Sequence, residues 1–419
     1  MKRLTSILLP LFVLLSLIVT IGSVGAADRK VIKFMHPDTE KPERAQYYVD
    51  MAAAFEKANP DIDVQVTGVA FADLQKNYLT TLAAGDPYDI CRAGNGDVPF
   101  YLSKGVLLDL TPYFTMSWRL QLNPGVIDAI TAPDKNIYIA PQYIDALPLN
   151  YHKEILAKYG LQVPTDRKSY FAVMDALKSN GIENPMQLHG SMSDDFFNII
   201  SLQFTAKDGL NPYGLSSGTA PFNSKTIIEA LKLYKGMYDK GYLARNFWSI
   251  GGTDGRMGYA QGKHAMKMGF FWDVYTHKDM GMPFENQGVA PFPNLVGGKI
   301  NRPVTVFGFF VTKTTKYPKE CAKWLKFLSD EYAQTQCANK YFGGALGMPV
   351  VNRKVVYPSD YTKVYADQVK GGTPYNIFAF NPQVWDYWSA NIGALMQGQK
   401  TVEQFADGLE ALRAKLTAH

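Results

Sequence analysis

Residues 31–91 alternate between two periodicities, and that alternation limits the architecture more than any other feature of the chain. Residues 31–35 and 62–66 are β-branched, alternating runs of strand type. Between them, Ala45, Tyr48, Ala52 and Phe55 recur at the spacing of one helix face over 42–58. Leu74, Tyr78 and Leu82 mark a second helix that Gly85 ends, and 88–91 reads as a third strand. Strand, helix, strand, helix, strand is the pattern of a parallel sheet covered by helices. Ligands in such sheets bind beyond the carboxyl ends of the strands. Those ends fall in the loops 36–40 and 92–97.

A second organising stretch is 137–151. It opens as a strand, but Pro141 and Pro148 interrupt it, and proline cannot donate to a central ladder. A helix pattern then runs over 153–159 and stops at Gly160. Two readings fit equally: an edge strand with a proline bend, or a chain crossing between two lobes. In the second case Gln142, Tyr143 and Asp145 lie at the crossing, within reach of a ligand. Beyond it the pattern is less regular over 164–224. Ile227, Leu231, Tyr234 and Tyr238 form a helix closed by Gly241, followed by a glycine-rich loop at 250–255. A strand is expected at 304–312, and Ala322, Leu325, Leu328 and Tyr332 share one helical face. The last helix opens with a capping box, Thr401 and Gln404, and buries Val402, Phe405, Leu409, Leu412 and Leu416.

Residues 1–27 have the layout of a cleavable export signal. Lys2 and Arg3 precede an apolar run at 7–21, and Gly25, Ala26 and Ala27 supply a small-residue exit. An uncleaved anchor is the alternative, disfavoured by the short run and by Pro10. Without Lys2 and Arg3 the chain carries 41 basic and 38 acidic residues, net +3. That balance argues against nucleic acid or a membrane surface as partner. The ~390 residues that remain suffice for two or three domains. Cys91, Cys321 and Cys337 allow one disulfide plus a free thiol, or three buried thiols. On one straight helix Cys321 and Cys337 would stand roughly 24 Å apart, so their pairing requires a turn near 329–330.

No histidine pair or CxxC has metal-ligand spacing, and neither a nucleophile elbow nor a phosphate loop is complete, so no metal, cofactor or catalytic residue is assigned. Asp194 and Asp195 are the best local carboxylate pair for glycoside hydrolysis, but they read as solvated loop acids. Aromatic residues beside planar polar groups stand out instead, at 246–248, 270–273 and 378–388. Such rings can cover the apolar face of a pyranose while amides and carboxylates hold its hydroxyls.

Several segments resemble the extracellular solute-binding proteins of ABC transporters, in the maltose-binding-protein-like sugar-binding family. They are Phe55-Glu-Lys-Ala-Asn-Pro60, Ala84-Gly-Asp-Pro-Tyr-Asp89, Gly105-Val-Leu-Leu-Asp-Leu-Thr-Pro-Tyr113, Leu149-Asn-Tyr-His-Lys-Glu154 and Gln261-Gly-Lys-His-Ala-Met266 with Gly269 and Trp272. The family's usual tryptophan is missing from 163–168, and Tyr151-His152 stands where Tyr-Asn is usual. The resemblance implies an α/β, two-lobe periplasmic-binding-protein fold of the class II type, with the ligand cleft between lobes joined by hinge crossings. The implied lobes are 28–140 with 312–335, and 146–304 with 340–419; the hinges are 141–145, 305–311 and 336–339. The ligand contacts it implies are His36, Asp38, Asn95, Asp97, Gln142, Tyr143, Asp145, Trp248, Trp272, Asp273, Gly344, Ala345, Phe380 and Trp385. The implied protein is a monomeric periplasmic receptor that takes a sugar by hinge closure and hands it to a membrane permease, without turnover. Alternatives are a receptor for a polyol, phosphoester or polyamine, an exported carbohydrate-active enzyme, or a structural surface protein.

Overall fold

The computed structural model describes residues 29–38, 42–70, 73–132, 134–211, 213–270, 272–338, 348–354, 364, 372–374 and 381–417. The expected signal segment, Gly344, Ala345 and Phe380 lie outside them. Ten described strands form two sheets. They are β1 (Lys30–Asp38), β2 (Ile62–Ala70), β3 (Ile90–Gly94), β4 (Ile139–Asp145), β5 (Leu149–His152), β6 (Met186–Gln187), β7 (Met266–Met268), β8 (Gln287–Ala290), β9 (Arg302–Val311) and β10 (Gly372–Pro374).

The first sheet runs β10-β9-β3-β1-β2, with β4 also paired to β9. β1 lies parallel to β2 and β3, as the alternation at 31–91 requires. Its helices Pro42–Ala58 and Leu74–Ala83 sit where their apolar faces predict, and Gly85 takes the positive φ of 77° that ends the second. Phe34, Tyr48, Phe55, Phe309 and Trp324 are central to this core. The second sheet runs β6-β7-β5-β8, and its core gathers Phe197, Tyr234, Phe247 and Trp388. The fold is therefore the expected two-lobe α/β type.

β4 belongs to the first sheet and β5 to the second, with three residues between them, so 137–151 is a crossing rather than a bent edge strand. The chain returns from β8 to β9. The β4–β9 pairing shifts register between Pro141 and Tyr143, a bulge at the proline that cannot donate. Gly308 is opposite Pro141, and a Cβ there would run into the Ala140 carbonyl, so only glycine permits this approach.

Several expectations differ from what is observed. Strand β1 continues through His36 to Asp38, and β3 through Arg92 to Gly94, so the two loops start later than periodicity placed them. The glycine-rich stretch at 250–255 enters a helix, Gly252–Ala260. The irregular region contains helices Arg167–Ser179 and Ser193–Lys207. The second of these is buried on nearly every side, so its sequence has no polar face to give a period. Asp194 and Asp195 occupy its first turn and are not solvated loop acids. The helical face through Tyr332 is broken: one helix ends at Leu328, Asp330 caps the next through Ala333 N–H at 2.9 Å, and Tyr332 is exposed. Cys91, Cys321 and Cys337 are three buried free thiols. Met348, Val351 and Val364 pack into the first core, unlike the expected division that placed 340–419 in the second lobe.

Candidate functional site

On the first lobe, the polar groups at the strand ends are bonded within the lobe. His36 Nδ1 lies 2.8 Å from the Pro37 carbonyl, and its ring lies tilted against Tyr48 with centroids 4.3 Å apart. The Tyr48 hydroxyl donates to Gln142 Oε1 at 2.8 Å, which ties β4 to the helix Pro42–Ala58. Asn95 donates to Ala129 O at 3.1 Å and accepts from Val306 N–H at 3.1 Å, so its amide staples β9. Asp97 accepts from Gly94 N–H at 2.7 Å, and burial raises its pKa. Asp38 ends β1 opposite Ala70.

The crossing strand carries the next group. Arg92 donates to the Tyr143 hydroxyl at 2.8 Å and lies 4.2 Å over the Phe307 ring, which sits 4.9 Å from Tyr143. Arg92 and Phe307 join strands β3, β4 and β9 around one tyrosine, and neither was among the expected contacts. Asp145 is fully buried at the end of β4 and accepts from Ala146 N–H at 3.0 Å. Its charge acts on Lys267 and Asp195 of the second lobe, which places the crossing beside that lobe's polar wall.

That wall is built on buried charge. Asp273 begins the helix Asp273–Asp279 just after β7, and pairs with Lys267 of β7 and with Arg256 Nε at 3.2 Å. Burial alone would raise the Asp273 carboxyl, but Lys267 and Arg256 outweigh it and hold it below the usual carboxylate range. Burial lowers the Lys267 pKa against the pull of Asp273. Trp272 is half-buried, with the Arg256 guanidinium 4.8 Å from its ring centre. Asn150, Gln187 and His189 line the same interior with side-chain nitrogens that find no hydrogen-bond partner among the described residues.

Trp385 and Trp248 come from elsewhere in the second lobe. Trp385 is 40% exposed and hydrogen-bonds Asp194, whose pKa burial raises to about 6. Asp195 is also raised well above the usual carboxylate range, by burial and by the neighbouring charges of Asp194 and Asp145. Trp248 meets Phe247 edge-on and Tyr238 at a tilt, and abuts Gly393 of the helix Pro382–Met396. The structure thus brings Tyr143, Asp145 and Asp273 toward one crossing. His36, Asn95 and Asp97 are held by bonds within the first lobe. Lys267, Arg256 and Arg92 are polar residues that spacing did not single out as site groups, and Asp194 reads in the sequence as a solvated loop acid. A lysine between Met266 and Met268 in a short strand was the one local signal.

Two α/β lobes joined by crossing strands, with polar and aromatic side chains gathered where they meet, define a two-lobe binding protein. The family model for bacterial extracellular solute-binding proteins matches residues 39–335, and the chain belongs to that family. A putative binding protein of Brucella abortus (strain 2308) is 25% identical over 228 residues, 52% of this chain and 53% of the relative. The chain thus matches about half the length of that curated relative. A chitin oligosaccharide binding protein shares the fold with TM-score 0.77 at 20% identity, covering 94% of this chain and all of the other. A cyclo/maltodextrin-binding protein solved with maltotetraose gives 0.70 at 20% identity, covering 94% and 98%.

Proposed function

We propose that this protein is the exported substrate-binding component of an ABC transporter, which captures a carbohydrate by hinge closure and delivers it unchanged to a membrane permease. The observation that carries this reading is the crossing itself. Tyr143 and Asp145 sit on a strand between the lobes, beside a second-lobe wall of Trp272, Lys267 and Asp273. Rings beside carboxylates and amides suit the apolar face and hydroxyl rim of a sugar. The similar structures include receptors whose ligands are chitin oligosaccharide and maltotetraose, which supports the class but not the particular sugar. In this reading the protein works as a periplasmic monomer. Its ligand contacts come from the expected set, with Arg92, Phe307 and Asp194 added.

A second reading has an observation of its own. Asp145, Asp194 and Asp195 bring three carboxylates close together, and such a cluster suits the ammonium groups of a polyamine. A thermal-shift screen of the purified chain against mono- and oligosaccharides, polyols and polyamines separates the two. Ligand at a hundred times its Kd adds about 2.7 kcal/mol of stability. A saturable shift with one sugar, recovered intact, supports the receptor. Shifts with polyamines alone replace the sugar, and a hydrolysed product replaces the receptor with an enzyme.

A further inference from the structure

One carboxylate in the second lobe touches everything that sets an aromatic pair. Lys267 and Asp273 form an ion pair in which both side chains are fully buried. The Asp273 carboxylate also accepts from Phe270 N–H at 3.0 Å and from Arg256 Nε at 3.2 Å. The Arg256 guanidinium in turn lies over the Trp272 ring at 4.8 Å. Phe270 and Trp272 are stacked, with planes 10° apart and centroids 5.4 Å apart. The backbone carrying Phe270 and the cation lying on Trp272 are therefore fixed by the same group.

The local chain is fitted to this arrangement. A Cβ on Gly269 would stand 2.6 Å from Asp273 Oδ2 and 2.8 Å from Lys267 Nζ, and would meet the Asn150 amide. Glycine lets the backbone pass directly over the ion pair. A buried charge network adds little net stability compared with well-packed apolar side chains, yet it fixes direction more closely than apolar contact does. Arg256 adds a planar cation on an indole face, a contact that depends on the angle of both groups.

We propose that Lys267, Asp273 and Arg256 are positioning residues that set the pitch of the Phe270–Trp272 pair. That this pair forms part of the sugar-binding wall rests on the function proposed above; the positioning role does not. Arg256 is the member to change, because it is partly exposed and lies at the edge of the network.

The test uses the full chain labelled with 5-fluorotryptophan, with the Trp272 fluorine resonance assigned by its loss in Trp272→Phe. Arg256→Met shifts and broadens that resonance and leaves the other five tryptophans in place, whereas Arg256→Lys returns it toward the wild-type position. Arg256→Gln serves if the methionine variant does not fold. An unchanged Trp272 resonance in a folded Arg256→Met or Arg256→Gln protein overturns the proposal. Maltotetraose and chitotetraose are then titrated into the same proteins. A roughly tenfold weaker Kd in Arg256→Met, recovered in Arg256→Lys, is the expected result. A moved resonance with unchanged affinity upholds positioning and removes the pair from the ligand wall. If neither sugar binds the wild type, the fluorine result alone decides the positioning role.

Discussion

The two lobes handle polar groups at their meeting place differently, although the first also buries Arg92 on β3 and Asp145 at the end of β4. In the first, neutral amides and hydroxyls are bonded to the strands beside them: Tyr48 to Gln142, and Asn95 to Ala129 and Val306. In the second, charges are buried outright: Lys267, Asp273 and, partly, Arg256. Neutral staples hold a sheet together at modest cost when one partner is lost. A buried charge commits its neighbours, because removing one partner leaves the other uncompensated. Away from Arg92 and Asp145 the first lobe is accordingly the more tolerant frame, and the second has the wall whose geometry a single substitution can spoil.

The largest effect that tests this contrast is Asp273→Ala, which strands the Lys267 ammonium in a dry interior. A loss of about 3–5 kcal/mol is expected in urea unfolding, with most of it restored when Lys267→Met is added. A loss under about 1 kcal/mol would erase the contrast. Asn95→Ala comes next. It leaves Val306 N–H and Ala129 O to find other partners, and about 1–3 kcal/mol should be lost. If affinity falls while stability holds, Asn95 serves the ligand rather than the sheet.

The acid dependence sharpens the comparison further. Burial, reinforced by the charge of Lys267, lowers both His189 and His277 from 6.5 to about 3. Between those values the unfolded chain binds protons that the folded chain refuses. Stability therefore falls as pH drops from 6.5 toward 3, by roughly 1.4 kcal/mol per pH unit for each histidine. Asp194 works in the other direction. Burial raises it from 3.8 to about 6, so its contribution is full at low pH and is lost as pH rises through 6. Urea unfolding of His189→Gln/His277→Gln should show a flatter acid limb, and an unchanged slope would contradict the assignment. The smallest effect lies at the second lobe's rim. Asp166 caps the helix Arg167–Ser179 through Ser169 N–H at 2.8 Å, and Asp166→Ala should cost about 1 kcal/mol by the same assay without changing affinity.

How far the sequence went depended on whether a segment has two unlike faces. The helix Pro42–Ala58 and strand β2 were legible because each shows one face to a core and one to water, whereas β3 is buried throughout and is legible from its place after the second helix. Ser193–Lys207 was not, because burial on nearly all sides removes the period. Proline at 141 signalled an interruption but not its meaning; the paired register with β9 identifies it as a bulge at a crossing. At the site, residue types were readable and partnerships were not. Trp272 and Asp273 stand out in the sequence, but the cations that hold them come from another helix and from β7, and no local spacing joins Arg256 to Asp273. Asn95 and Asp97 had the right chemistry for a ligand, and part of that chemistry is used on Val306 and Gly94, a partnership no local spacing announces.

The central claim is that a sugar is taken between the lobes, and solution scattering tests it most directly. The purified chain is measured alone and with a saturating amount of the sugar that stabilises it, and the sugar is then recovered and weighed by mass spectrometry. A smaller radius of gyration with intact sugar is the predicted result, since hinge closure draws the two cores together. An unchanged radius at saturation, or a sugar recovered in pieces, would contradict the account.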